Sequence, residues 1–226
     1  MKKIIILVVI LALLGIGTWI LLGGKKEAPP GEGATTPTPG GGKESTLTEI
    51  LGKVANITSF KCDMVTTTSG QGAAATTKMW LKGQKMRMEM TSGGKNMVYF
   101  TDTVGQKAYL YFPSDNTAMK MDFSTAQETA GKSPTEQSES LESYNPVIVG
   151  SEVLDGKNCL VVKYTQGTEE VKMWLWKDYG LAIKTESTTP EGTSTIELKN
   201  IEFGNIADSM FVLPAGAQMI EMPSGY

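Results

Sequence analysis

The sequence predicts a mainly β, α+β extracytoplasmic domain: a large curled antiparallel sheet with one helix before it and a long loop inside it, set behind a transmembrane helix. Three observations carry this. Apolar residues recur every second position from Phe60 onward, Gly- and Pro-containing turns divide that pattern at short intervals, and the chain opens on an uncharged apolar run. With 226 residues, 40% hydrophobic and 20% charged, there is room for one sizeable core.

The N-terminal run comes first. Ile4 to Leu22 is uncharged and lies between Lys2-Lys3 and Lys25-Lys26. As a helix at ~1.5 Å per residue it spans about 28 Å, close to the hydrocarbon thickness of a bilayer. It is longer than the apolar region of a cleavable signal and ends in Trp19, a residue suited to the membrane interface. A signal cut near Gly23 or Gly24 is the alternative. Residues 1–24 therefore read as an anchor (or uncleaved signal), with the short basic N-terminus in the cytoplasm and the rest outside it, as a single-pass protein of the cell membrane. Residues 25–45 are dominated by Gly, Pro, Thr and Ser and read as a disordered linker. Residues 46–226 form the extracytoplasmic domain.

Leu47 to Ile57 places Leu47, Ile50, Leu51, Val54 and Ile57 at helical spacing after Ser45 or Thr46 as cap, so it reads as one amphipathic helix. At its end Asn56-Ile57-Thr58 is a glycosylation sequon. Eleven strands follow: Phe60–Thr68, Thr76–Lys82, Lys85–Met90, Asn96–Thr101, Lys107–Phe112, Ala118–Phe123, Val147–Val153, Asn158–Tyr164, Glu170–Trp176, Gly180–Glu186 and Thr193–Ile201. Short connections such as Ser92-Gly93-Gly94 and Asp155-Gly156 imply consecutive antiparallel hairpins. An open twisted sheet of that size tends to curl or close. Ser124 to Asn145 is polar, with Pro134 in its middle, and reads as a mobile lid loop with one or two helical turns.

Parity along the strands yields the candidate site. Met79 and Leu81, then Met86, Met88 and Met90, then Met119, Met121 and Phe123, then Val171, Met173 and Leu175 form one-sided rows. Strand faces usually choose Val, Ile or aromatic side chains; methionine instead fills irregular gaps and recurs on surfaces that accept variable apolar partners. Met79, Leu81, Met86, Met88, Met90, Met119, Met121, Phe123, Met173 and Leu175 are accordingly the candidate apolar ligand face. A filled core beneath the Leu47–Ile57 helix is the alternative, and the two are compatible.

Other chemistry is sparse. The chain has no histidine, which removes imidazole ligands and His-based triads, and its net charge of -3 gives no footprint for nucleic acid. Asp102, Asp115 and Asp122 are scattered at turns as solvated carboxylates. No cofactor, metal or catalytic constellation is implied, so the expectation is a protein that is not an enzyme. Cys62 and Cys159, outside the cytoplasm, are expected to pair in a disulfide, with separate buried thiols as the alternative. Trp80, Trp174 and Trp176 have the opposite parity from the methionines, as does Arg87.

From Thr46 to Met222 the order of these motifs resembles the LolA/LolB-like lipoprotein carrier superfamily. The helix before the first strand, "TTKMWLKGQKMRMEM", "KNMVYFTD", "QKAYLYFP", "EEVKMWLWKDYGLAIKTES" and the closing "FVLPAG" carry the resemblance. It implies a half-open antiparallel β-barrel whose apolar face is plugged by the N-terminal helix and binds lipid or lipoprotein acyl chains. The lid-fastening arginine of the carrier is not transferred to Arg87, because Arg87 points away from the Met rows. The functional expectation is a membrane-tethered lipid- or lipoprotein-binding protein. The alternative is a cell-surface sensor or protein-interaction domain with a closed core and no ligand.

Overall fold

A computed structural model describes residues 45–70 and 74–220, without the side chains of 127–130. The expected anchor and nearly all of the expected linker lie outside the described residues. Among those described, no helix is long and apolar enough to cross a membrane.

The fold is mainly β, built on one twelve-stranded sheet. Its strands are β1 (Ser59–Thr68), β2 (Ala75–Lys82), β3 (Lys85–Ser92), β4 (Lys95–Asp102), β5 (Lys107–Phe112) and β6 (Thr117–Lys120), then β7 (Val147–Leu154), β8 (Lys157–Gln166), β9 (Glu169–Trp176), β10 (Leu181–Thr189), β11 (Gly192–Phe203) and β12 (Gln218–Ile220). All eleven expected strands are present. They do not form one meander. β1 to β6 run outward as one meander and β7 to β11 as another, and β11 returns to pair with β1, so the first strand sits in the middle. β12, a strand beyond the expected eleven, pairs parallel with β6, leaving β12 and β7 as the edges of an open sheet. The β7 edge is apolar and exposed at Val147, Ile148 and Val153, and a register shift between Ile148 and Gly150 interrupts it.

Local chemistry explains the turns and caps. Asp155 and Gly156 both have positive φ (48° and 73°), the pair of values that a two-residue hairpin turn requires. The expected single helix at 47–57 is broken. α1 (Leu47–Leu51) starts with a reciprocal cap in which Thr46 Oγ1 accepts from Glu49 N and Glu49 Oε2 accepts from Thr46 N. It stops at Gly52, and the chain continues as a 3-10 turn at Val54–Asn56. Asn56 of the sequon is exposed on that turn.

The expected strand Ala118–Phe123 ends at Lys120, and Phe123 opens α2 (Phe123–Ala130). Asp122 caps it: its Oδ1 accepts from the Ser124 hydroxyl and from Thr125 N, which holds the carboxyl below its ordinary range. The polar segment then forms α3 (Pro134–Glu139) and a 3-10 turn at Leu141–Tyr144, so it is more ordered than a loop with one or two turns. Ser133 and Glu136 make a second reciprocal cap around Pro134, which sits at the first helical position where a missing N–H costs nothing.

Candidate functional site

The methionines form a transverse row. Reading across the sheet, Cys62, Met79, Met88, Tyr99, Leu110 and Met119 are consecutive cross-strand partners from β1 to β6. Beside it runs a second row, Phe60, Leu81, Met86, Thr101 and Ala108. Of the candidate face, Met79, Leu81, Met86, Met88, Met90 and Met121 are buried in one apolar cluster, and Met119 and Phe123 pack against it half-buried. Met173 and Leu175 are buried in a separate cluster with Ile50, Leu51 and Leu141 beneath α1. The structure thus brings eight of the ten together and sets two apart under the N-terminal helix.

The segment 123–144 covers part of this face. It packs into the apolar clusters at Phe123, Ala126 and Leu141 and is fastened between them by polar contacts. The Tyr99 hydroxyl donates to the carbonyl of Ala126 at 2.8 Å, fastening α2 over the row. Ser138, with no exposed surface, accepts from the amide of Ala182 at 2.9 Å through Oγ and donates to the Pro134 carbonyl at 3.0 Å. That amide stands where the β10–β9 register shifts, between Ala182 and Lys184, so the latch joins α3 to an irregular point of the sheet. Thr48 Oγ1 donates to Glu142 at 2.7 Å, and Tyr144 stacks on Tyr164 with ring centroids 4.8 Å apart.

Two cavities beneath the cover bear on function. One of about 40 Å³ is bounded by Met64, Met79, Met86 and Met88 from the sheet and by Ser133 and Pro134 from the cover. A larger one, about 260 Å³, lies under the start of α3 between Val54, Leu81, Met86 and Thr101 on one side and Ser133 and Glu136 on the other. Met86 and Ser133 border both.

With that geometry in view, the profile of a family described as a domain of unknown function, DUF4412, matches residues 60–182, more than half of the chain. The chain belongs to the DUF4412 family. The DUF4412 match runs from β1 into β10, so the Met rows and the whole cover fall inside it. No curated protein matches the chain in sequence. Among solved structures, an uncharacterised conserved protein from Thermus thermophilus superposes with a TM-score of 0.56 at 11% identity, over 77% of this chain and 98% of its own. MucB gives 0.49 at 15% identity, over 76% of this chain and 64% of its own. LprF from Mycobacterium bovis gives 0.47 at 11%, over 76% and 95%. At such identity, the Thermus likeness is one of fold.

The other face of the DUF4412 sheet has its own cover. The C-terminal segment from Ile206 to Ala217 crosses β2 to β5, held by Lys82 Nζ on the Ile206 carbonyl at 2.8 Å and Arg87 Nη1 on the Met210 carbonyl at 3.0 Å. Leu213 and Ala217 pack on Val98, Phe100, Tyr111 and Ala118. Arg87 therefore faces away from the Met rows, as parity requires, with its guanidinium paired to Glu89 and 5.0 Å from the Phe100 ring centroid. Trp174 also takes the opposite face. It is buried, donates from Nε1 to Glu152 at 2.7 Å, and lies between the ammonium groups of Lys172 and Lys184 at 4.3 and 4.4 Å. The Trp174 hydrogen bond, ahead of Lys172, holds the Glu152 carboxyl below its ordinary range. Trp174 is a packed structural residue.

The expected disulfide is absent: Cys62 and Cys159 are buried free thiols. β11, β10 and β9 stand between β1 and β8, and Cys159 pairs across from Trp176 on the face opposite the Met row. A disulfide needs Cα atoms within about 7 Å, whereas each strand step is about 4.8 Å. Compartment chemistry permits pairing but cannot bring the two positions together. Burial pushes the Cys62 thiol up to about 12 and Cys159 up to about 11, so both are inert core residues at neutral pH. No group of three or more His, Cys, Asp and Glu capable of holding a metal ion occurs among the described residues.

Thr101 is the residue that pattern reading passes over. It occupies an apolar row between Met86 and Ala108, yet threonine is an ordinary strand residue, so its place in the sequence carries no signal.

Proposed function

We propose that the domain is a non-catalytic binding module that takes an apolar chain onto the methionine row, between the sheet and the α2–α3 cover. The N-terminal run tethers it to the outer side of the cell membrane. The observation that carries this reading is the mismatch between the two surfaces: around the Met-lined gap, a pliant apolar row of Met64, Met79, Met86 and Met88 is faced by Lys132, Ser133, Pro134 and Gln137, mostly polar residues where a sealed core would place Leu or Ile. Such a cover separates from the sheet at low cost, and methionine repacks around whatever enters.

Ligand pockets for small molecules start at roughly 300 Å³, and the two cavities that share Met86 and Ser133 together approach that bound. Opening α3 joins them. The resemblance of 46–222 to the LolA/LolB-like carriers supports the same reading and a half-open barrel as its closed form. Each methylene moved from water to this face contributes about 0.8 kcal/mol, so a chain of moderate length suffices for micromolar binding.

The small size of the Met-lined gap favours the second reading, a closed interaction domain without a ligand. Native mass spectrometry of 45–226 purified from its host, followed by organic extraction, separates the two. The first reading expects one co-purifying or added lipid per chain; a clean apo mass that long-chain lipids leave unchanged would establish the second.

A further inference from the structure

We infer that the larger cavity beneath α3 receives the head group of the amphiphile whose chain lies on the methionine row, and that it selects a head that donates hydrogen bonds and carries no net negative charge. This rests on the apolar-chain reading above and names the ligand class.

The walls of the cavity divide by chemistry. Its inner side is apolar at Val54, Ile57, Leu81 and Met86 and uncharged but polar at Gln84 and Thr103, and Met86 is also a wall of the neighbouring Met-lined gap, so a chain leaving the cavity passes directly onto the row. Its outer side carries Glu136 and Glu139, the only charged residues that line it among those described. Lys132 and Lys184 border the Met-lined gap instead.

Thr101 is the second, independent pointer. It is 9% exposed and lines the cavity, and its hydroxyl has no hydrogen-bond partner among the described residues. No fully sealed side-chain nitrogen or oxygen among those residues lacks a partner, so the Thr101 oxygen opens into the cavity instead of being walled in. Buried hydroxyls are ordinarily paired, and this one takes its partner from what the cavity holds. It can donate to an ester carbonyl or accept from an alcohol.

Glu136 spends one carboxylate oxygen on the Ser133 amide at 2.8 Å, which leaves acceptor capacity on the other. An ammonium or hydroxyl head meets these carboxylates as a donor, whereas a carboxylate or phosphate head meets like charge. Acylglycerols and long-chain amines fit; fatty acids do not.

The test uses the full chain in phosphatidylcholine nanodiscs with three photo-crosslinking probes of one chain length: a monoacylglycerol, a primary alkylamine and a carboxylic acid. At neutral pH the acylglycerol and the amine are expected to label the 75–92 region about ten-fold more than the acid does. The double variant E136Q/E139Q keeps the α3 cap, since Gln serves at that position, and is expected to bring the three probes within about three-fold of one another. Because each probe partitions into the same bilayer for both proteins, only the change of ratio is read. Equal labelling by the three probes, or a ratio unmoved in E136Q/E139Q, overturns the head-group inference and leaves the apolar-chain reading standing. Absence of labelling in 75–92 by all three overturns both.

Discussion

Replacing Gly180 with alanine is expected to lower the unfolding midpoint of the domain by roughly 5–15 °C, the largest single-residue effect anticipated outside the buried apolar cluster. Gly180 has φ of +68°, and a Cβ added there meets the Ile50 carbonyl oxygen at 2.2 Å and the Val54 amide nitrogen at 3.1 Å. Backbone of α1 thus rests on the β9–β10 turn with no room for a methyl group. The left-handed conformation costs a non-glycine residue about 1–2 kcal/mol, and displacing packed backbone adds about 1–3 kcal/mol. Gly83 is the control: its φ is +54°, but a Cβ there meets nothing within 4 Å. Thermal unfolding of G180A and G83A should therefore differ by about 1–3 kcal/mol. Equal losses would show that α1 is not seated on that turn.

Ser138→Ala removes the acceptor of the Ala182 amide and leaves a buried N–H without a partner, at a cost of about 1–3 kcal/mol. The loss falls on the closed position of the cover and not on the sheet. Amide exchange within 123–144 is expected to accelerate by roughly ten-fold while β1, β9 and β11 keep their protection. If the apolar chain enters only when the cover is open, the apparent affinity of the closed form is reduced by the open fraction, so S138A binds a long-chain amphiphile about ten-fold more tightly. A destabilised protein that binds better is an unusual signature. An S138A protein that exchanges faster but binds no better would separate the cover from the entry path.

Period-two alternation makes strands legible where one face is packed and the other solvated or strapped; β7, exposed along nearly its whole length, is legible from its β-branched residues instead. Where a register shift intervenes the alternation fails: Leu181, Ala182 and Ile183 are buried in succession across the irregularity in β10. The pairing of β1 with β11 is not legible, since hairpin signals report only neighbours in sequence. Helix α3 is readable in principle from Ser133, Pro134 and Glu136, a cap signature that the surrounding Ser and Thr residues obscure. The Met rows emerge from parity alone, and their division between two clusters follows from α1 stopping at Gly52 over β8 and β9. The expected pairing of Cys62 with Cys159 fails because a redox argument contains no distances. Thr101 becomes visible only once the cavity gives its hydroxyl a place to point.

Whether the methionine row seats an apolar chain is read residue by residue from ¹³C-methyl NMR of labelled methionines. The chain has 13 methionines, each assignable by a Met→Leu variant that keeps volume. Titration of 45–226 with a monoacylglycerol below its aggregation limit should saturate at one per chain. It should shift the methyl signals of Met79, Met86 and Met88 while those of Met210 and Met219, which lie outside the row, stay in place. Signals of Met79, Met86 and Met88 that stay fixed throughout the titration would exclude an apolar chain on the row and leave those methionines as core filling.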